Sequence, residues 1–214
     1  KHGMEPQKNQ GVKIFNQPVT MTDFLSRRID AAAAMTYNEL AQVLESKNPK
    51  TGKLYTLADL NVFPLQKEGT SMLEDGLFAQ ESWVSGHRDI AMRFIAASDR
   101  GWIYCRTYVQ QCTNIVLQNG TALPGGHQKW QMNEINKLIW PNAKGIGIMD
   151  PAAFKRTAAI ALKYKVIKKA QNSSAYDAQL SKAALQYLKN HVKGIDVTGK
   201  AYKPITVTLK AGGK

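Results

Sequence analysis

The pattern of apolar residues changes near residue 80, and that change limits the folds open to this chain. Before it, apolar residues come in short runs broken by proline and glycine; from Glu81 onwards they recur at helical spacing. Ile90, Phe94 and Ile95 share one helical face, continued by Trp102, and Met132, Ile135 and Ile139 share another. Asp150-Pro151 is a helix start, an N-cap followed by proline at the first helical position. It opens a helix with Phe154, Ala158, Ala161 and Leu162 turned inward, and a last helix packs through Leu180, Ala184, Tyr187 and Leu188. The tail "ITVTL" (205–209) alternates like an edge strand. The chain is therefore expected to be mostly helical after residue 80.

The first third reads differently. Its opening, "KHGMEP", is a helix stop signal, with basic residues, a glycine and then a proline. "VKIFNQ" (12–17) is a short strand rich in β-formers, Pro18 breaks it, and Thr20 or Thr22 can cap a helix through "MTDFLSRRI". "DAAAAM" reads as a buried strand ending at Met35, followed by a turn at residues 36–38 and a helix from Glu39. The order strand, helix, strand, helix argues for a parallel α/β sheet. "ESKNPKTGKLYTLADL" is expected as an exposed loop, "NVFPLQ" (61–66) as a second short strand, and "SMLEDGLFAQ" (71–80) as a third, interrupted at Gly76. These are too few strands for a self-standing sheet, so further strands are expected upstream of Lys1.

Composition narrows the class. Of 214 residues 43% are hydrophobic and 21% charged, the profile of a globular protein rather than a disordered one. No apolar run approaches the ~20 residues that span a bilayer. The net charge of +13 is uneven, since residues 151–214 hold 13 basic against two acidic groups. Lysines dominate there without interleaved aromatic residues, which points to solvated helix faces rather than a nucleic-acid surface. On one helix Cys105 and Cys112 would stand ~10 Å apart. A disulfide needs less than about 7 Å, so they pair only if a turn falls near Thr107 and Tyr108; two separate buried thiols are the expectation.

Motifs for catalysis are scarce. His2, His87, His127 and His191 show no metal-ligand spacing and are expected at the surface. "KGIGIMD" lacks the third glycine of a dinucleotide loop and reads as a tight turn feeding Asp150. There is no phosphate loop and no serine nucleophile elbow, and the adjacent Glu74 and Asp75 point to opposite faces of a strand. Three of the four tryptophans are expected in the core. The cluster Tyr37-Asn38-Glu39 is more informative, because it follows a small-residue strand and ligands bind beyond the C-terminal ends of such strands. Tyr37 can stack on a ligand while Asn38 and Glu39 read its donors. The same residues also suit a plain helix start, with Asn38 as cap and Glu39 in the first turn.

Five stretches in order, "VKIFNQPVTMTDFLSRRIDAAAAMTYNELAQVLE", "LEDGLFAQESWV", "FIAASDRGWIYC", "HQKWQMNEINKLIWP" and "GIGIMD", resemble the substrate-binding proteins of bacterial ABC importers. The class is that of nitrate, sulfonate and taurine binding, and the branch is the one related to thiamine-pyrimidine precursor binding. The resemblance implies the C-terminal portion of an α/β, two-lobed, periplasmic-binding-protein-like (type II) fold. Residues 1–73 would belong to the second lobe, and residues 74–214 would hold the return crossing "EDGLFAQ" and the helices that pack on the first lobe. It implies that the first lobe's sheet precedes "KHGMEP". One departure is that relatives break the helix after "GWIYA" with Asn-Pro, where this chain has Thr107-Tyr108.

The resemblance implies an interlobe cleft for a small aromatic heterocycle, such as a thiamine-precursor pyrimidine. Its ligand-binding residues would be Tyr37, Asn38 and Glu39, with Gln17 at the neighbouring strand end and Glu74 and Asp75 near the hinge. The implied partners are that small molecule and the membrane permease of an ABC importer, without nucleic acid, cofactor, metal or catalytic residues. The protein is expected as a monomer, periplasmic or lipid-anchored outside the cytoplasm, its signal peptide removed. The alternative is a pyrimidine-synthase-like enzyme on the same scaffold, whose cysteine-rich motif has no trace in this chain.

Overall fold

The computed structural model of the chain describes residues 11–120, 122–172 and 174–214. The "KHGMEP" stop signal and His2 lie outside them. Eight α-helices follow in order among the described residues: α1 (Thr22–Leu25), α2 (Glu39–Leu44), α3 (Glu81–Gly86), α4 (Arg88–Thr107), α5 (Val109–Asn119), α6 (Gly125–Ile139), α7 (Pro151–Lys163) and α8 (Ala178–His191). Among the described residues strand-type pairing is limited to one antiparallel bridge, Lys47 to Leu54. No described helix is long and apolar enough to cross a membrane. The chain divides into two compact units. The first gathers the chain up to Asp59 with Thr113–Ile135 and Thr206–Lys214; the second holds Leu60–Cys112 and Asn136–Ile205.

The helical half follows its sequence signals. Asp150 accepts a hydrogen bond from the Ala152 amide at 2.9 Å, with Pro151 opening α7 behind it. In the second unit α4 packs on α8, and the buried Ala96 of one and Ala184, Leu185 and Leu188 of the other share an apolar cluster with Trp140, Ile146 and Val197. Leu180, Ala184 and Leu188 are buried as their spacing requires, and Tyr187 packs beside them. The faces of α4 and α7 need correction. Ile95 and Trp102 reach the core, but Ile90 and Phe94 are 48% and 63% exposed. The buried stripe of α4 is instead Ala91, Ala96 and Asp99, and in α7 it is Ala153, Ala158 and Ala161, with Leu162 outside. In α4 the small Ala96 faces inward, where it lets α4 and α8 approach closely.

The expected strands at 12–17, 30–35, 61–66, 71–80 and 205–209 form no ladder among the described residues. They are mostly extended chain, and residues 65–69 close into a turn through Lys67 N–H on the Pro64 carbonyl. The physical reason is that a strand exists only through its neighbours, and β-forming side chains do not supply the missing amides and carbonyls. The alanine run is correspondingly not buried, and Met35 is 38% exposed. Helix α1 is shorter than expected and lacks a threonine cap. It starts after Met21 and stops before Arg27, whose φ of 61° leaves the helical region. The polar stretch after α2 is more ordered than an exposed loop. The Asn48 amide donates to the Lys53 carbonyl at 2.7 Å and Tyr55 to Ser46 at 3.0 Å, which buries Tyr55 and Asn48.

The cysteines also depart from expectation. α4 ends at Thr107 and α5 begins at Val109, so the helix breaks at Tyr108 and brings the Cα atoms of Cys105 and Cys112 to 5.2 Å, joined as a disulfide. The break, at the Thr107-Tyr108 pair, converts a helical spacing of ~10 Å into bonding distance. Replacing both cysteines by serine is expected to lower the unfolding free energy by ~2.5 kcal/mol, the chain-entropy value for so short a loop. Urea titrations of the variant and of the oxidised protein measure this directly; equal midpoints would show the bridge to be energetically idle.

Candidate functional site

The start of α2 is organised by side chains within the first unit. Gln17 clamps the extended alanine run with both ends of its amide, Nε2 donating to the Ala33 carbonyl at 2.8 Å and Oε1 accepting from the Ala33 amide at 2.9 Å. The turn over residues 36–38 closes with Asn38 and Leu40 amides on the Met35 carbonyl. Asn38 does not cap the helix with its side chain. Its Nδ2 instead donates to Glu39 Oε1 at 3.3 Å, while Glu39 Oε2 accepts from the Met35 amide at 3.0 Å. Tyr37 is half-buried at the same turn.

The partner that organises this turn comes from far along the chain. His127, near the start of α6, is buried rather than at the surface where its isolation in the sequence placed it. Its Nδ1 lies 3.0 Å from both carboxylate oxygens of Glu45, which is also buried, and its Nε2 lies 3.1 Å from Asn38 Oδ1. Both ring nitrogens face oxygen acceptors, so the ring fills both contacts only when it carries two N–H groups. One turn on, the Trp130 indole donates to the Thr36 carbonyl at 2.9 Å. The tail closes the assembly: the Gly212 amide donates to the Glu45 carbonyl at 3.1 Å. Gly213 has φ 72°, and a Cβ there would stand 2.9 Å from His127 Cβ and 3.1 Å from Glu45 Oε2. Only a glycine accommodates both that backbone angle and that approach.

These residues border a cavity of about 580 Å³. Asn38, Gln42, Glu45 and Ser46 form one wall, His127, Gln128 and Gln131 another, with Leu123, Pro124 and Gly212 completing it. Of the residues predicted from sequence, Asn38 faces this cavity, Glu39 and Gln17 brace the turn that carries it, and Tyr37 stands beside it. Glu74 and Asp75 belong to the second unit and are exposed on its extended segment. Gln42, Glu45, His127, Gln128 and Gln131 were not legible as site residues. The one local hint was a histidine three residues before Trp130 near the start of a helix.

Residues 1–111 match the family described as NMT1/THI5 like. The chain belongs to that family. The NMT1/THI5-like family has a periplasmic-binding-protein-like fold; it includes substrate-binding proteins of ABC importers, typically extracytoplasmic, and enzymes of the THI5 type. The matched residues contain Gln17, Tyr37, Asn38 and Glu39 and the Glu45 wall of the cavity, whereas the α6 wall lies beyond them. No curated protein and no solved structure matches the chain.

Proposed function

We propose that this protein is the extracytoplasmic solute-binding component of an ABC importer of the nitrate, sulfonate and taurine class, in the branch related to thiamine-pyrimidine precursors. Its ligand in this reading is a small aromatic heterocycle such as a thiamine-precursor pyrimidine, stacked by Tyr37 and hydrogen-bonded by Asn38 and Glu39. The observation that carries the reading is Asn38: in an NMT1/THI5-like chain, its side chain is held at a cavity wall by His127 and Glu39 instead of being spent on capping α2. The cavity's volume suits a small molecule. The Cys105–Cys112 disulfide agrees with an oxidising compartment outside the cytoplasm.

The lobe arrangement is part of the same proposal. Residues 1–73 belong to one lobe, residues 74–80 are the crossing to the other, with Glu74 and Asp75 near the hinge, and hinge closure excludes water from the bound ligand.

Mass spectrometry of small molecules released from the purified protein, followed by titration of the one identified, tests this reading. Glu39→Ala is expected to weaken that ligand at least tenfold, through lost contact and a loosened Asn38. Unchanged affinity would remove Glu39 from the site, and release of no heterocycle at all would count against the ligand class.

A further inference from the structure

The α6 wall of the cavity tells what kind of molecule it accepts. Gln128 and Gln131 stand three residues apart on α6, so their side chains share one face. Both are half-buried, both line the cavity, and neither carboxamide has a hydrogen-bond partner among the described residues. Apart from Asn38, the other polar side chains of the cavity are committed. Gln42 Oε1 accepts from the Met21 amide and its Nε2 donates to the Val19 carbonyl; Ser46 Oγ donates to the Gln42 carbonyl. His127 Nδ1 lies 3.0 Å from both Glu45 carboxylate oxygens, so these two side chains are taken up with one another. No lysine or arginine is among the lining residues, although the chain carries a net charge of +13.

An anion entering this cavity would meet no lysine or arginine, and would approach the Glu45 carboxylate. A cation would meet no free carboxylate, since Glu45 is held by His127. A neutral molecule that offers a donor beside an acceptor, as an amide or an amino-substituted ring nitrogen does, can pair with a carboxamide through two antiparallel hydrogen bonds. We infer that Gln128 and Gln131 are ligand-recognition residues and that the cavity selects neutral ligands with an amide-like edge over charged ones. This rests on the solute-binding reading above but names residues outside those it uses.

Three probes of nearly equal shape separate the possibilities: benzamide, benzoate and benzamidinium. Titrated into the whole protein and followed by the side-chain amide signals in NMR, benzamide is expected to bind at least tenfold more tightly than either ion. Gln131→Ala and Gln128→Ala are each expected to weaken benzamide at least fivefold. Far-UV circular dichroism and thermal unfolding of the two variants confirm an intact α6, which alanine favours. Benzoate binding as tightly as benzamide, benzamide unaffected by both substitutions, or no saturable binding of any probe would each overturn the inference. The solute-binding reading is decided separately: a natural ligand that proves anionic would overturn the neutral-edge inference while leaving that reading standing.

Discussion

His127→Ala is expected to lower the unfolding free energy by ~3–5 kcal/mol at pH 7, one of the two largest effects foreseen for this chain. The substitution leaves the Glu45 carboxylate buried with its hydrogen-bond partner gone, and an unpaired buried charge costs far more than the pair contributes. It also removes the bond to Asn38 Oδ1, so the turn at residues 36–38 loses its distal support. A control isolates the charge effect: adding Glu45→Gln to His127→Ala removes the uncompensated carboxylate and is expected to recover part of the loss. Urea unfolding of the wild type, the single variants and the double variant closes a thermodynamic cycle. A single-variant cost below ~1 kcal/mol would mean that water reaches Glu45 freely.

The second concerns Asp99. It sits 5% exposed on the inner stripe of α4, and its Oδ2 has no hydrogen-bond partner among the described residues. Gly147, at φ 73°, passes so close that a Cβ there would stand 3.1 and 3.2 Å from the two carboxylate oxygens. Burial raises the Asp99 carboxyl from the ordinary 3.8 to about 7. Between those values the folded protein keeps a proton that the unfolded chain has released. Stability contributed by this residue is therefore present in acid, falls as pH rises from about 4 to 7, and levels off above that. The gap sets an upper limit of ~4 kcal/mol, and screening by water lowers the expected span to ~3 kcal/mol. Asp99→Asn keeps the shape without the charge. It is expected to match the wild type near pH 4 and to exceed it by ~3 kcal/mol at pH 8, the other carboxylates cancelling in the comparison. Parallel pH profiles for the two proteins would refute the account.

How far the sequence revealed these features depends on the range of the forces involved. Asp150-Pro151, the Thr36-to-Asn38 turn, the start of α2 at Glu39 and the inner face of α8 were legible, because each is decided within about one helical turn. The strands were not, since "VKIFNQ" and "NVFPLQ" carry the right side chains but pairing depends on other chain segments. The exposure of Phe94 beside a buried Ala96 reverses what hydrophobicity alone suggests, because α8 selects the face by closeness of fit. In the site, Asn38 stood out through its local context. His127 did not, because its partner Glu45 lies 82 residues away and no spacing rule links them.

The bond between Cys105 and Cys112 also settles a question of bookkeeping during oxidation. Residues 1–214 hold two cysteines, so one pairing is possible among them. Only seven positions separate them, so both thiols are available as soon as the corner at Tyr108 is made. Closing this bridge then needs an oxidant and the local corner alone, independent of how distant parts of the chain are arranged.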